Sequence, residues 1–277
     1  MGQTMKNSFV ARLFAHLFLL LGALLMLLPL LFTISTSLKT PGTEFVLPTR
    51  WILEVWHPEN YATVARQVPL GRWFANSLLV ASAATVGQLL TGSMAGYAFA
   101  RLKFWGRDTL FLAFLATMMI PPQMTIIPLF ITVRTFGWYD TFAGLIVPGL
   151  FNAFSVFFMR QFFLTIPDDL EDAAYLDGAN HWQIYWRIML PLSGPSLATL
   201  STFTFITFWN SFLYPLTVTK SEEMRTLPVG LSVFHETFTT EWTLVTAGVV
   251  ISLTPVIAAF LVGQRYFVRG ITMTGLK

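Results

Sequence analysis

Six long stretches of mostly apolar residues constrain this chain more than any other feature. They cover residues 13–34, 74–100, 108–133, 141–159, 193–218 and 242–263. A helix needs about 20 predominantly apolar residues to cross the hydrocarbon core of a bilayer. Only 11% of the residues are charged, whereas soluble domains carry about a quarter. The sequence therefore predicts an all-α membrane protein with six transmembrane helices.

The composition excludes several kinds of chemistry. The chain has no cysteine, which rules out thiol catalysis, zinc thiolate sites and disulfides. The four histidines share no metal-ligand spacing, so no metal site is predicted; they are His16, His57, His181 and His235. No Gly-Lys pair occurs, so the chain lacks a Walker A loop for nucleotide phosphates. We therefore expect neither catalytic activity nor a cofactor of its own.

The distribution of basic residues predicts which side of the membrane each segment faces. Lys6 and Arg12 precede the first apolar run, a combination also typical of a signal peptide. This run is too long for a signal peptide, and no clean small-residue cleavage site follows it, so it is interpreted as the first span. If both termini are cytoplasmic, the inner segments hold ten of the 17 basic residues. That bias favours cytoplasmic termini.

A long polar segment, residues 35–72, follows the first run. The residues 58–65 within it are predicted to form a short surface helix. Trp56 and Trp73 suit the membrane–water interface, where aromatic residues are enriched. The segment either contacts a soluble partner on the outer side or rests as a connector on the lipid headgroups.

A second polar segment, residues 166–192, lies between the fourth and fifth runs and holds five acids within ten residues. It is predicted to form two short helices joined by a turn. Asp168 and Glu171 have capping-box spacing at the start of the first helix, and Asn180 and Gln183 have it at the second. A connector between two spans could be much shorter, so this segment is predicted to have a function.

The first of these helices is predicted to offer a compact surface. Ala173 and Ala174 are strong helix formers with little side-chain bulk, so another backbone could approach closely. Gly178 suits the left-handed residue that ends many helices. The pattern indicates a small helix that a partner protein could bind.

The same residues carry a resemblance to a known family. The segment DAAYLDGA at 172–179, followed by IMLP at 188–191, resembles the EAA loop of ABC importer permeases. In that family Glu-Ala-Ala, three residues and Gly precede Ile-x-Leu-Pro. Asp172 stands where the family has glutamate, directly after Glu171, and its side chain is shorter by one methylene.

The resemblance implies a type I ABC importer permease fold, with a cytoplasmic coupling helix between spans four and five. It implies that a separate ATPase binds ATP and Mg²⁺ and contacts this loop. The residues implied in that contact are Glu171, Asp172, Ala173, Ala174, Leu176, Asp177 and Gly178. The chain is accordingly divided into a first helix with an external loop (1–72), a transmembrane domain containing the coupling loop (73–265) and a cytoplasmic tail (266–277).

Further matches resemble the carbohydrate branch of these permeases: TLPVGL at 226–231 and the ending at 264–277. The ending is similar to that of the maltose-type second permease subunit, whose tail reaches the ATPase interface. This implies that Gly275 and Lys277 lie near the ATPase. The resemblance thus implies import of a sugar or oligosaccharide across a bacterial or archaeal inner membrane. The implied partners are a second, different permease, a dimeric ATPase and an external sugar-binding protein.

A sugar path calls for hydrogen-bonding groups and aromatic faces rather than fixed charge. The candidates are Asn152, Trp209, Asn210 and Tyr214. For Trp209 and Tyr214, anchoring at the membrane interface is the alternative. The prolines at 121–122 predict a break in the third run, which either lines a transport path or is a simple kink.

Two alternative functions stay open from the sequence. One is a secondary transporter or facilitator that works without an ATPase, and the other is an ABC permease for a solute that is not a sugar. Secondary transporters usually show internal repeats or charges within the membrane, and neither is evident in this sequence.

Overall fold

The computed structural model describes residues 2–44, 55–234 and 241–274, and these are helical apart from turns and short connections. The helices are α1 (Gly2–Ser37), α2 (Glu59–Gln67), α3 (Leu70–Arg101), α4 (Arg107–Ala116), α5 (Pro122–Thr135), α6 (Phe142–Ile146), α7 (Ala153–Phe163), α8 (Asp169–Leu176), α9 (His181–Ile184), α10 (Leu190–Leu192), α11 (Gly194–Trp209), α12 (Leu213–Val218), α13 (Leu227–Leu231) and α14 (Trp242–Thr274). Short 3₁₀ turns follow α4, α6 and α13 and precede α13, and a π-helical turn, Tyr185–Met189, joins α9 to α10.

Three helices are long and apolar enough to cross a membrane without a break. These stretches are Ala11–Ser37, Leu70–Arg101 and Trp242–Gln264, and they match the predicted first, second and sixth spans. The last continues as helix to Thr274, into the region predicted as a tail.

The other apolar runs are divided by breaks. The prolines at 121–122 separate α4 and its 3₁₀ turn from α5, and the two parts differ in direction by 101°. The fourth run divides into α6 and α7, which are bent by 42°. The fifth run forms α11 and α12, and neither is long enough to span alone. By length and composition the described residues hold three to five spans, so the sixth remains a prediction.

The chain forms two compact units. The first consists of Met1–Val68 and Leu231–Ser252, and the second of Pro69–Gly230 and Leu253–Lys277. In the first unit, the predicted surface helix is present as α2. The Asn60 side chain fixes it to the end of α1 by donating to the Ser37 and Lys39 carbonyls at 3.0 and 2.9 Å.

The core of the second unit is built around α3, which packs against α7 and α11. Two glycines one turn apart allow the close approach of α7. A Cβ atom on Gly92 would lie 2.8 Å from the Ser155 Cβ, and one on Gly96 would lie 2.8 Å from the Met159 Cβ. Small residues at this spacing let membrane helices come close enough for extensive van der Waals contact.

Trp73, near the start of α3, occupies a different environment from the interface predicted for it. Its side chain is fully buried and covers Gly230, where an added Cβ would overlap the indole ring. The indole Nε1 donates to the Glu222 carbonyl at 3.0 Å. The interfacial prediction for Trp73 is therefore wrong, because tertiary contacts supply both the apolar surroundings and the acceptor that an indole needs.

Candidate coupling site

The segment between α7 and α11 folds largely as its local sequence predicts. Gly178 has a φ of +79°, which is the left-handed conformation expected after α8. Asn180 and Gln183 form the predicted capping box at α9. The Asn180 side chain accepts from the Gln183 N–H, and the Gln183 side chain accepts from the Asn180 N–H, both at 2.9 Å.

The predicted cap of α8 is absent. Asp168 precedes the helix, but its side chain makes no capping hydrogen bond. Its carboxylate instead binds the guanidinium of Arg101, the last residue of α3. The prediction is wrong because a charge-assisted bond to arginine is stronger than a bond to a neutral backbone N–H, and the sequence does not show that Arg101 lies here.

The two faces of α8 differ in what they contact. Glu171 and Ala174, three residues apart and hence on one side of a helix, are buried against the chain itself. Of the seven residues predicted to contact an ATPase, these two therefore face inward. The other five are exposed: Asp172, Ala173, Leu176, Asp177 and Gly178. Leu176, an apolar residue, has 89% of its surface accessible.

The inner face of α8 belongs to an apolar cluster at the C-terminal end of α3. The buried members of this cluster are Tyr97, Ala100, Met159, Phe163, Ile166, Ala174, Ile184, Tyr185, Met189 and Leu200. The Tyr185 hydroxyl lies 2.8 Å from the Ser93 Oγ of α3. The segment from α8 to α10 thus packs against α3 and is not a solvent-exposed connector.

Arg101 is the electrostatic centre of this region. Its side chain is 9% exposed, and its Nε lies 3.1 Å from the Glu171 Oε1. Burial raises the pKa of the Glu171 carboxyl, while Arg101 and His181 act in the opposite direction and Asp172 adds to the rise. Burial is the larger effect, because transfer out of water disfavours the charged form.

The predicted substrate-path residues lie at or next to helix breaks, but in different environments. Asn152 is exposed and caps α7 by accepting from the Ser155 N–H at 3.2 Å. Asn210 is exposed at the end of α11. Trp209 is buried, and the Tyr214 hydroxyl donates to the Gly144 carbonyl. The structure gives the asparagines open positions and the aromatic residues packed ones.

Sequence reasoning missed Gln88, which is buried in the middle of α3. Its amide nitrogen donates to the Gly149 carbonyl at 2.6 Å, at the break between α6 and α7. Its oxygen accepts from Ser155 at 3.0 Å and from Thr204 at 3.3 Å. An amide inside an apolar run is a signal that could have identified it, because polar groups within a membrane span are expensive unless paired.

The predicted contact of the tail with an ATPase stays a prediction. Gly275 and Lys277, predicted to lie near an ATPase, fall outside the described residues. Among the residues that are described, no three His, Asp or Glu side chains cluster closely enough to hold a metal ion.

Apolar helices interrupted by breaks, with a short helix on a polar loop that leaves one face open, are features of a membrane permease. Residues 88–273 match the family described as "Binding-protein-dependent transport system inner membrane component". The chain belongs to this family and is a multi-pass component of the inner membrane. A secondary transporter that acts alone is therefore not its class.

Individual relatives agree with the family. The chain is 36% identical to the arabinooligosaccharides transport system permease protein AraQ of Halalkalibacterium halodurans, over 92% of both chains. It is 32% identical to a probable ABC transporter permease protein, YurM, of Bacillus subtilis, over 98% of this chain and 91% of the relative. It is 33% identical to the sn-glycerol-3-phosphate transport system permease protein UgpE of Yersinia enterocolitica, over 94% of this chain and 95% of the relative.

Solved structures show the same fold. A chain from the crystal structure of a bacterial ABC transporter involved in the import of the acidic polysaccharide alginate matches with a TM-score of 0.82. That match has 26% identity and covers 96% of this chain and 99% of the other. A chain of the MetNI methionine ABC transporter shares the fold at a TM-score of 0.52 and 18% identity. That match covers 73% of this chain and 94% of the other.

Proposed function

We propose that this chain is a transmembrane permease subunit of an ATP-driven ABC importer for a sugar or oligosaccharide. The solutes of its relatives support a carbohydrate-type solute, since they include arabinooligosaccharides and sn-glycerol-3-phosphate. The alginate importer, with which it shares its fold along nearly the whole chain, also handles a polysaccharide. These relatives span neutral and acidic solutes, so they do not select one sugar.

The proposed assembly contains this chain, a second, different permease, a dimeric ATPase that binds ATP and Mg²⁺, and an external sugar-binding protein. In this assembly the chain has six spans and both termini in the cytoplasm. The domain division at residues 72 and 265 belongs to the same proposal. Reporter fusions at Arg160 and Glu223 are expected to report opposite sides of the membrane.

The observation that carries the proposal is the outer face of α8. A helix of eight residues cannot be stable alone in water, yet here it is packed on α3 while Leu176 and Ala173 remain exposed. An apolar side chain as open as Leu176 beside a residue as small as alanine fits a shallow cleft on a partner. We infer that this face is seated in the ATPase.

In this mechanism, ATP binding closes the ATPase pair and moves α8 together with the helices packed on it. The cavity between the two permeases then turns towards the binding protein and receives the sugar. The breaks between α6 and α7 and between α11 and α12 lie close together, since the Gly149 backbone meets the Phe208 ring. Asn152 and Asn210 are the proposed sugar contacts on this chain, with Trp209 and Tyr214 supporting them.

The test of ATPase coupling is the substitution Gly178→Val. Nothing lies within 4 Å of an added Cβ, but the φ of +79° is unfavourable for valine, at a cost of about 1–2 kcal/mol. The turn after α8 is then expected to change, so that the ATPase no longer co-purifies and uptake is lost. Membrane abundance is expected to stay near the wild-type level, because the turn lies outside the apolar spans.

The matched control is Gly137→Val, between α5 and α6. Gly137 has a φ of +71° and equally open surroundings, so the backbone strain is similar but the position is remote in sequence from α8. This variant is expected to retain the ATPase and uptake. Wild-type ATPase retention and uptake in Gly178→Val would refute the assignment of this loop as the coupling element.

The solute class is tested through the cognate binding protein. Since the residues proposed for the path carry no fixed charge, tight binding of a neutral or weakly charged sugar is expected. Selective binding of an amino acid, a peptide or a metal ion instead would refute the sugar assignment while leaving the permease assignment intact.

A further inference from the structure

The last residue of α3 holds the segment that leads into α8 at four separate points. The Arg101 guanidinium binds the carboxylates of Asp168 and Glu171. It also donates through Nη2 to the carbonyl oxygens of Phe163, at 2.7 Å, and Ile166. One side chain thus joins the end of α3 to the end of α7 and the start of α8.

The chemistry of arginine explains why one residue can make all these contacts. A guanidinium presents five N–H donors in a fixed plane and stays charged when buried. Phe163 is the last residue of α7, where helix carbonyls lack intrahelical donors, and Ile166 follows in the connection to α8. The Phe163 oxygen also accepts from the Ile166 N–H at 3.2 Å, so Arg101 is its second donor. Arg101 therefore supplies donors to both carbonyls and positive charge to both acids with the same group, whereas lysine lacks the planar set of five donors.

Arg101 also completes a stripe on α3. Ser93, Tyr97 and Arg101 are four residues apart in succession and so lie on one side of the helix. Ser93 bonds to Tyr185, and the Tyr97 ring packs 5.5 Å from the Tyr185 ring. The last two turns of α3 are therefore joined to both sides of the loop, to α8 by charge and to the π-helical turn by the aromatic contact.

The ion pair is incompletely satisfied in this structure. The Arg101 Nε and the Glu171 Oε1 are 3.1 Å apart, but their alignment is not that of a hydrogen bond, and within the described residues neither atom has another partner. The Asp168 side chain is 79% exposed. The Glu171 carboxylate is thus buried beside Arg101, whereas the Asp168 carboxylate is open to a partner that approaches α8.

We propose that Arg101 is a positioning residue that transmits the movement of α8 to α3. The inference rests on the proposed function, since it assumes that an ATPase moves α8. With Arg101 present, α8 and the end of α3 move as one body, and the displacement reaches the helix that packs on α7 and α11. Without Arg101, the exposed face of α8 still binds the ATPase, but α8 moves relative to α3 and the displacement does not reach α3.

The experiment compares Arg101→Gln with the wild type in the full complex, reconstituted in vesicles with binding protein and sugar. The quantities measured are ATPase retention and the number of sugars imported per ATP hydrolysed. We expect the ATPase to be retained and the sugar-to-ATP ratio to fall at least about tenfold, as a loss of roughly 1.4 kcal/mol in coupling would produce. A loss of fold alone would lower the amount of complex and leave the ratio unchanged.

The control is Lys103→Gln, two residues further along. Lys103 is exposed and has the same charge. Its loss therefore tests whether any positive charge in this region maintains the sugar-to-ATP ratio, or only that of Arg101. The variant is expected to keep the wild-type ratio. A fall in Lys103→Gln equal to that in Arg101→Gln would overturn the specific role of Arg101.

Two milder variants decide the question if Arg101→Gln does not assemble. Arg101→Lys keeps the charge but not the planar fork, and Asp168→Asn changes only the exposed partner. Both are expected to assemble and to give ratios between those of the wild type and an uncoupled complex. Wild-type ratios in both variants would overturn the proposal. Failure of the wild-type chain itself to retain an ATPase would instead refute the proposed function.

Discussion

The two ends of α3 each hold a segment distant in sequence, but they do so with different chemistry. At the N-terminal end, the acceptors are backbone carbonyls, and the donors are the neutral Trp73 and Asn76 side chains together with Arg72, whose Nε lies 3.1 Å from the Glu223 oxygen. Trp73 binds the Glu222 carbonyl, and Asn76 binds those of Glu223 and Arg225 at 2.7 and 2.9 Å. At the C-terminal end, Arg101 binds two carboxylates as well as carbonyls.

We expect the contact at the N-terminal end of α3 to keep one geometry and the contact at the C-terminal end to change with the charge around it. Carbonyl acceptors do not titrate, and a buried indole with a satisfied N–H packs tightly in one position. Carboxylates can gain a proton or meet another charge, and their interaction with arginine changes accordingly. We therefore expect substitutions at the N-terminal end to affect chiefly stability, and those at the C-terminal end to affect chiefly coupling.

The largest expected effect is that of Trp73→Ala. Removing a fully buried indole is expected to cost about 3–5 kcal/mol through lost burial and the cavity left behind. Membrane abundance and the midpoint of thermal unfolding of the purified complex would both fall, whereas the sugar-to-ATP ratio of the surviving complex would not. Normal abundance with a reduced ratio would reverse the proposed difference between the two ends.

A smaller loss of stability is expected from Gly230→Ala. The added methyl would overlap the Trp73 ring, and overpacking of this kind costs about 1–3 kcal/mol. Gly71→Ala is the matched control, because a Cβ at this position of α3 meets nothing within 4 Å and alanine favours the helix. The unfolding midpoint is expected to fall only for Gly230→Ala, and equal midpoints would show that Trp73 can move aside.

Asn76→Ala tests the neutral hydrogen bonds alone. It leaves the Arg225 carbonyl without its amide donor, at an expected cost of about 1–3 kcal/mol, while the Glu223 carbonyl keeps the Arg72 Nε as a donor. Ser82→Ala, at an exposed position further along α3, serves as control. Limited proteolysis of the segment around residues 222–225 is expected to become faster only in the Asn76 variant, and unchanged cleavage would show that Trp73 and Arg72 suffice to hold it.

The smallest effect concerns pH at the other end of α3. Burial raises the pKa of Glu171 above its ordinary value of 4.5. A raised pKa means that this carboxyl contributes stability fully below pH 4.5 and that the contribution is lost as pH rises through the shifted value. The unfolding midpoint of the wild type is thus expected to fall relative to that of Glu171→Gln between pH 4 and 8. A constant difference would show that pairing with Arg101 cancels the effect of burial.

The accuracy of the sequence-based predictions depended on the range of the interactions. The conformation of Gly178 and the capping box of Asn180 and Gln183 were confirmed, because turns and caps involve residues a few positions apart. The cap by Asp168 was wrong because Arg101, 67 residues away, competes for the same carboxylate. No local pattern indicates which basic residue meets which acid after folding.

The candidate site shows the same limit at the level of surfaces. Ala173 and Ala174 are the same residue type in the same helix, so the sequence predicted that both would face a partner. Helical geometry places neighbouring residues about 100° apart, so only one of them can face outward once the helix is packed on α3. That one is Ala173, while Ala174 lies in the apolar cluster.

By itself the sequence determined that this chain is a helical membrane protein, that it carries a loop like those of ABC permeases, and where that loop turns. These properties follow from apolar run length, residue spacing and the backbone preferences of glycine, which act locally. Only the tertiary structure decided that the run at 141–159 bends, that Trp73 is buried and that Arg101 holds the segment leading into α8. Each of these depends on which distant groups compete for the same volume, donor or charge, and that competition exists only in the folded chain.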